Sequence, residues 1–122
     1  MPVPILRQGD VFIASIQLEQ TDADLAKLRE DLARQVGEMR VRGVIIDVTT
    51  LDVLDSYATR MLRAIAYTSR LRGARTVVVG IQPDVAFSMV ELGLDLGEVS
   101  TALDLEEGLA VLRAQEPDVE HV

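Results

Sequence analysis

Gly43 to Leu62, GVIIDVTTLDVLDSYATRML, runs from an apolar strand through a short acidic loop into a helix whose first residues are Asp55 and Ser56. Val44, Ile45 and Ile46 are consecutive β-branched residues, the pattern of a strand covered on both faces, as in a parallel sheet with helices above and below. Thr76 to Ile81 repeats it. Between the two strands Ala58, Met61, Leu62, Ile65, Ala66 and Ser69 recur at helical spacing, and Gly73 marks the end of that run. Strand, helix, strand in this order makes a βαβ unit, so the spacing predicts an α/β fold with a mostly parallel sheet.

Upstream, Val3 to Gln8 and Val11 to Gln17 are short apolar stretches separated by Gly9 and Asp10, which predicts a β-hairpin. Pro2 and Pro4 cannot donate to a sheet ladder, so the first strand belongs at the edge or across the end of the sheet. From Thr21 the period changes: Leu25, Leu28, Leu32, Val36 and Met39 fall on one helical face and Lys27, Asp31, Arg34 and Glu38 on the other. Thr21 with Asp24 predicts a capped start, and Gly43 lies beyond the basic end at Arg40 and Arg42. Downstream, Pro83 suits the first turn of a third helix with Val85, Ala86, Met89 and Leu92 inward and Gly93 as its stop. Val99 to Ala102 fits a last small strand, and Asp104 with Glu107 caps a final helix carrying Leu105, Leu109 and Leu112. Pro117 ends the ordered part, leaving 116–122 as an acidic, frayed tail of a single domain spanning 1–122.

At 122 residues and 48% hydrophobic the chain supports one core and is too short for two ordinary domains. Cysteine is absent, which removes disulfides, thiolate metal sites and cysteine nucleophiles together. No signal-peptide pattern and no membrane-length apolar run is present, so a cytoplasmic protein without membrane partners is expected. The formal net charge of −8 argues against nucleic acid as a partner, because phosphate binding needs a basic surface. Phe12, Tyr57, Tyr67 and Phe87 are too few to build a base-stacking platform.

The charges are unevenly placed. Arg60, Arg63, Arg70, Arg72 and Arg75 occupy a stretch without acids, whereas from Glu91 onward nine acids face one base, Arg113. Such asymmetry suits self-association of a basic helix with an acidic end; solvated helix faces are the ordinary alternative. Tyr67 among arginines has the character of an interface anchor.

Ser56 is the leading candidate for chemistry. The first N–H groups of a helix lack partners and carry the positive end of its dipole, so an anionic group added there is well tolerated. Ser56 therefore fits a phosphoacceptor, while a plain N-cap is what Asp55 or Ser56 most often supplies before an apolar-periodic run. Asp47, at the carboxyl end of a buried strand, is a second candidate of the phosphoaspartate kind found in response-regulator receivers. Against it, the strand ending in Ile16 and Gln17 is not followed by the acidic pair that would hold Mg²⁺ in a receiver, and Ile81, Gln82 and Pro83 offer no lysine. His121 is the sole histidine and lies in the tail, so neither a catalytic triad nor a histidine metal site can be assembled. No phosphate-binding glycine loop is present, and no cofactor or enzymatic activity is expected.

Ile46 to Leu62, with IDVTTLDVLDS, and Gly80 to Gly93, within GIQPDVAFSMVELGL, resemble the STAS domain of anti-sigma-factor antagonists, and among them the stressosome scaffold antagonists. The closing TALDLEEGL is similar too, so the likeness runs along essentially the whole chain. It implies a single STAS domain with a mostly parallel mixed sheet packed by about four helices, and Ser56 as the phosphoacceptor. Tyr57 and Ala58 follow the acceptor where sporulation-type antagonists have small residues, which points to the stressosome branch. Ser88 falls where stressosome co-antagonists carry a second acceptor threonine and is a secondary candidate. The implied mechanism is a non-catalytic scaffold that assembles with sensor-bearing STAS paralogues, holds a serine/threonine switch kinase and releases it on phosphorylation. A PP2C-type phosphatase resets the state. Asp52, Asp55, Tyr57, Thr59, Arg60, Arg63 and Tyr67 are the expected partner contacts. A free antagonist binding an anti-sigma kinase directly is the alternative within the same fold.

Overall fold

The computed structural model describes residues 1–97 and 99–114. In chain order the elements are β1 (Ile5–Gln8), β2 (Val11–Ser15), α1 (Asp22–Met39), β3 (Gly43–Asp47), α2 (Ser56–Leu71), β4 (Arg75–Val79), α3 (Pro83–Glu91), β5 (Ser100–Ala102) and α4 (Leu105–Ala114). The strands lie side by side in that same order, β1 antiparallel to β2 and the remaining pairs parallel. This is the mixed, mostly parallel sheet that the β-branched runs predict, with the proline-flanked strand at its edge.

The register explains why β3 and β4 are apolar throughout. Phe12 pairs with Val44 and Val44 with Thr76, while Ile13 pairs with Ile45 and Ile45 with Val77, so alternate residues form rows on opposite faces of the sheet. Phe12, Ala14, Val44, Ile46 and Val78 pack with Leu28, Leu32 and Val36 of α1, Leu62 and Ile65 of α2, and Val85 and Met89 of α3. Val11, Ile45, Val77 and Val79 pack on the other face with Leu112, Leu105 and Leu109 of α4. Burying each such Val, Leu or Ile side chain stabilises the fold by roughly 1.5–3 kcal/mol.

Local signals set the helix starts. Thr21 and Asp24 form the expected reciprocal cap, the Asp24 carboxylate accepting the Thr21 N–H at 2.8 Å and the Thr21 hydroxyl accepting the Asp24 N–H at 3.2 Å. That backbone hydrogen bond from Thr21, foremost, holds the Asp24 carboxyl below the usual carboxylate range. Asp104 Oδ1 accepts the Glu107 N–H at 2.9 Å, and the Glu107 side chain reaches back to the Leu103 N–H, so the last helix is capped as expected.

Four expectations are corrected. Helix α1 ends at Met39 because Arg40 itself turns left-handed at φ 55, ahead of Gly43. Met39, expected on the apolar face, is 43% exposed in that final turn. In α3 only Val85 and Met89 turn inward; Ala86 and Leu92 are exposed, since nine residues give one face room for little more than two contacts. Strand β4 stops at Val79, where Gly80 takes φ 85 and turns the chain. The segment 116–122, with Pro117 and His121, lies outside the described residues.

Candidate functional site

The approach to α2 is fastened from three strand ends. The Asp47 carboxylate, at the end of β3, accepts both the Thr49 N–H at 2.9 Å and the Thr49 hydroxyl at 2.6 Å, folding the chain back on itself. The Thr50 hydroxyl reaches the Ile16 carbonyl and the Gln17 side chain, each at 3.2 Å, beyond β2. From the end of β4 the Gln82 amide donates to the Thr49 carbonyl. Leu51 and Leu54 are buried in the core while Asp52 and Val53 face solvent, so the loop is pinned on one side and presented on the other.

Helix α2 then starts with a division of labour. Asp55 is the N-cap, extended at φ −80, and its Oδ1 accepts the Ala58 N–H at 2.8 Å. Ser56 is the first helical residue, is exposed, and its hydroxyl makes no hydrogen bond among the described residues. Tyr57 is half-buried against the core, and the Arg60 guanidinium lies 5.5 Å from its ring centroid. An exposed hydroxyl beside a helix N-terminus, with an arginine one turn along, can accept an added anionic group without removing any bond that holds the fold.

Of the expected partner contacts, Asp55, Tyr57 and Arg60 lie at the start of α2 around Ser56, and Asp52 is exposed in the loop that leads into it. Arg63 and Tyr67 are exposed one and two turns farther along, lining a groove of about 600 Å³ with Arg60, Leu96 and Gly97. Thr59 is a correction. It is 3% exposed, on the same inward side as Leu62, and its hydroxyl is buried without a hydrogen-bond partner among the described residues, so it cannot meet another protein at this surface. Ser88 is exposed on α3, a separate element from Ser56. Asp47 does lie at a strand end, but its carboxylate is occupied in shaping the loop, and the flanking strand ends present Gln17 and Gln82. Thr49, Thr50, Gln17 and Gln82 are the supporting residues that sequence reasoning missed. Their one signal is a polar residue within about three positions of the end of an apolar strand, repeated at neighbouring strand ends.

Among the described residues no group of three or more acidic or histidine side chains could hold a metal ion, and no helix is long and apolar enough to cross a membrane.

A five-stranded mixed sheet carrying a capped helix with an outward serine at its first position is an α/β domain, and residues 3–108 match the STAS domain: the chain belongs to the STAS family. It is similar to RsbS of Moorella thermoacetica, solved as a serine-to-glutamate variant, with 36% identity and a TM-score of 0.79 over 92% of this chain and 95% of that one. A chain of the stressosome, described as a signal integration and transduction hub, is 34% identical with a TM-score of 0.74, covering 93% of this chain and all of that one. The RsbT co-antagonist protein RsbRA of Bacillus subtilis is 34% identical over 89 residues, which are 72% of this chain. The match spans 32% of RsbRA, about a third of that relative's length.

Proposed function

We propose that this chain is a non-catalytic antagonist of the stressosome type, which holds a serine/threonine switch kinase and releases it when Ser56 is phosphorylated. The observation that carries the reading is the exposed Ser56 hydroxyl at the first position of α2, free of structural duty because Asp55 supplies the cap. Likeness to RsbS, to a stressosome chain and to a co-antagonist of RsbT supports a kinase of the RsbT kind as partner and RsbRA-like, sensor-bearing paralogues as co-assembling subunits in the cytoplasm. Glutamate in place of serine imitates the charge of a phosphate, so the form in which the Moorella relative was solved is in keeping with control at a serine.

Phosphorylation adds about −1.5 to −2 charges at neutral pH. At Ser56 that charge lies beside Asp52 and Asp55, is offset by the helix terminus and Arg60, and leaves the buried Leu51, Leu54 and Leu62 untouched. The surface offered to the kinase changes and the core does not. A penalty of a few kcal/mol at a docking surface lowers occupancy by orders of magnitude, at about 1.4 kcal/mol per tenfold. A PP2C-type phosphatase restores the binding form. Ser88, exposed on α3, is the secondary acceptor.

The test is phosphosite mapping after incubation with ATP and the cognate kinase. Phosphate on Ser56 and its loss in Ser56→Ala are expected; modification confined to Ser88 or to no residue overturns the reading.

A further inference from the structure

Arg60 stands one helical turn from two neighbours and serves only one of them. Three residues before it is Tyr57, whose ring packs against the core and has the Arg60 guanidinium 5.5 Å from its centroid. Four residues before it is Ser56, exposed at the first position of α2. Residues three and four apart lie side by side on a helix surface, so the exposed Arg60 side chain can reach either.

In the unmodified chain the guanidinium is held by the ring alone. Among the described residues the ion pairs join Asp24 to the amino terminus, Lys27 and Arg34 to Asp31, Arg34 to Glu38, and Arg42 to Asp10, and Arg60 is in none of them. No acid occurs from Ser56 to Gln82, and Asp55 turns its Oδ1 to the Ala58 N–H. An exposed cation over a ring is weakly held. A phosphate on Ser56 changes the competition, because its oxygens accept parallel, charge-assisted bonds from the guanidinium. An anion four residues ahead of a base is also the favourable order on a helix. Arg63, the next base, is seven residues from Ser56 and so about two turns away.

We propose that Arg60 takes up the phosphate on Ser56 and leaves the Tyr57 ring to do so. The inference rests on Ser56 being the phosphoacceptor and adds two consequences to that reading. Modification changes the docking surface twice, placing negative charge at Ser56 and withdrawing positive charge from above Tyr57, whose ring is then bare. The ester held by Arg60 is also shielded from a phosphatase, so Arg60 sets how long the mark lasts.

The test uses the full chain with phosphoserine incorporated at position 56 during synthesis. No kinase is needed, so a kinase that modifies some other residue overturns the proposed function without bearing on this result, and the reverse also holds. In NMR spectra the Arg60 Cδ protons, shifted upfield by the Tyr57 ring in the unmodified chain, are expected to return to their ordinary position in the phosphorylated one. Hydrolysis by alkaline phosphatase is expected to be about threefold faster in Arg60→Gln than in the wild type, since a charge-assisted bidentate pair has been lost. Arg60→Lys, which keeps the charge without the planar fork, is expected to fall between them, and Arg63→Gln to match the wild type. Unchanged circular dichroism in all three variants shows that the fold is intact. Arg60 resonances that do not move on phosphorylation, equal hydrolysis in Arg60→Gln and the wild type, or an Arg63→Gln effect as large as that of Arg60→Gln would each overturn the proposal.

Discussion

Asp55 Oδ1 accepts the Ala58 N–H at 2.8 Å, and that single bond relieves Ser56 of the capping duty a serine at a helix start ordinarily performs. A hydroxyl that capped the helix would be tied to the backbone, and esterifying it would fray the first turn. Here the cap and the candidate acceptor are adjacent but separate residues.

Replacing them one at a time measures the separation. Asp55→Ala is expected to lower stability by about 1 kcal/mol, the usual worth of an N-cap, and Asp55→Ser to retain most of it. Ser56→Ala is expected to stay within about 0.5 kcal/mol of the wild type. Urea denaturation of the three variants checks this, and a larger loss from Ser56→Ala than from Asp55→Ala would show that the hydroxyl is the cap.

Kinase affinity is expected to divide the Ser56 variants in the opposite sense. Ser56→Ala binds as the unmodified chain does, and Ser56→Asp binds at least about tenfold more weakly, a change of about 1.4 kcal/mol. Titration calorimetry reads both, and equal affinities would remove Ser56 from the release step.

Thr59 and Thr76 bury hydroxyls that have no hydrogen-bond partner among the described residues. Replacing such a group by an apolar one of the same shape removes a desolvation cost, so Thr59→Val and Thr76→Val are expected to be neutral or stabilising by up to about 1 kcal/mol. For Thr76, inside β4, the β-branched valine suits the strand as well. Thermal unfolding of the single variants decides it, and a drop in midpoint in either would reveal a polar contact at that hydroxyl.

Thr59 also shows where sequence pattern stops being informative. The strands β3 and β4 were legible because two-sided burial leaves an unbroken β-branched run, and the starts of α1 and α4 because their caps are local. The position of Ser56 at a helix start was legible for the same reason. In α3, by contrast, Val85, Ala86, Phe87, Met89 and Val90 spread apolar character around the helix, so periodicity cannot choose a face and only packing against the sheet does. The bonds from Gln82 to Thr49 and from Thr50 to Ile16 join residues more than thirty positions apart, and nothing local in either segment announces its partner.

Acid is expected to loosen the first turn of α1. Asp24 has a folded-state pKa below its unfolded value, so its contribution is fully present above the unfolded value and is lost as pH falls through the folded one. Asp24→Asn removes the charge and so flattens this part of the acid limb. Far-ultraviolet ellipticity followed from neutral to acid pH should show the wild type losing its advantage over the variant in that window; parallel curves would mean that the cap adds no pH-dependent stability.

The loop that presents Ser56 is held by a close backbone approach, and a methyl group can probe it. Gly80 has φ 85, and a Cβ there would lie 3.0 Å from the Thr49 Cα and closer still to its hydroxyl. Gly93, at φ 71, has no atom of the described residues beyond its chain neighbours within 4 Å of the same added group. Gly93→Ala therefore measures the left-handed backbone penalty by itself, about 1–2 kcal/mol. Gly80→Ala adds to this the displacement of Thr49, and with it strain on the Asp47 and Gln82 hydrogen bonds that fix the loop. Gly80→Ala is expected to lose more stability than Gly93→Ala and to speed amide exchange over 48–55, whereas Gly93→Ala leaves that exchange unchanged. Equal losses with no change in the loop would mean that Thr49 yields without resistance and that the anchoring of the serine does not depend on its contact with Gly80.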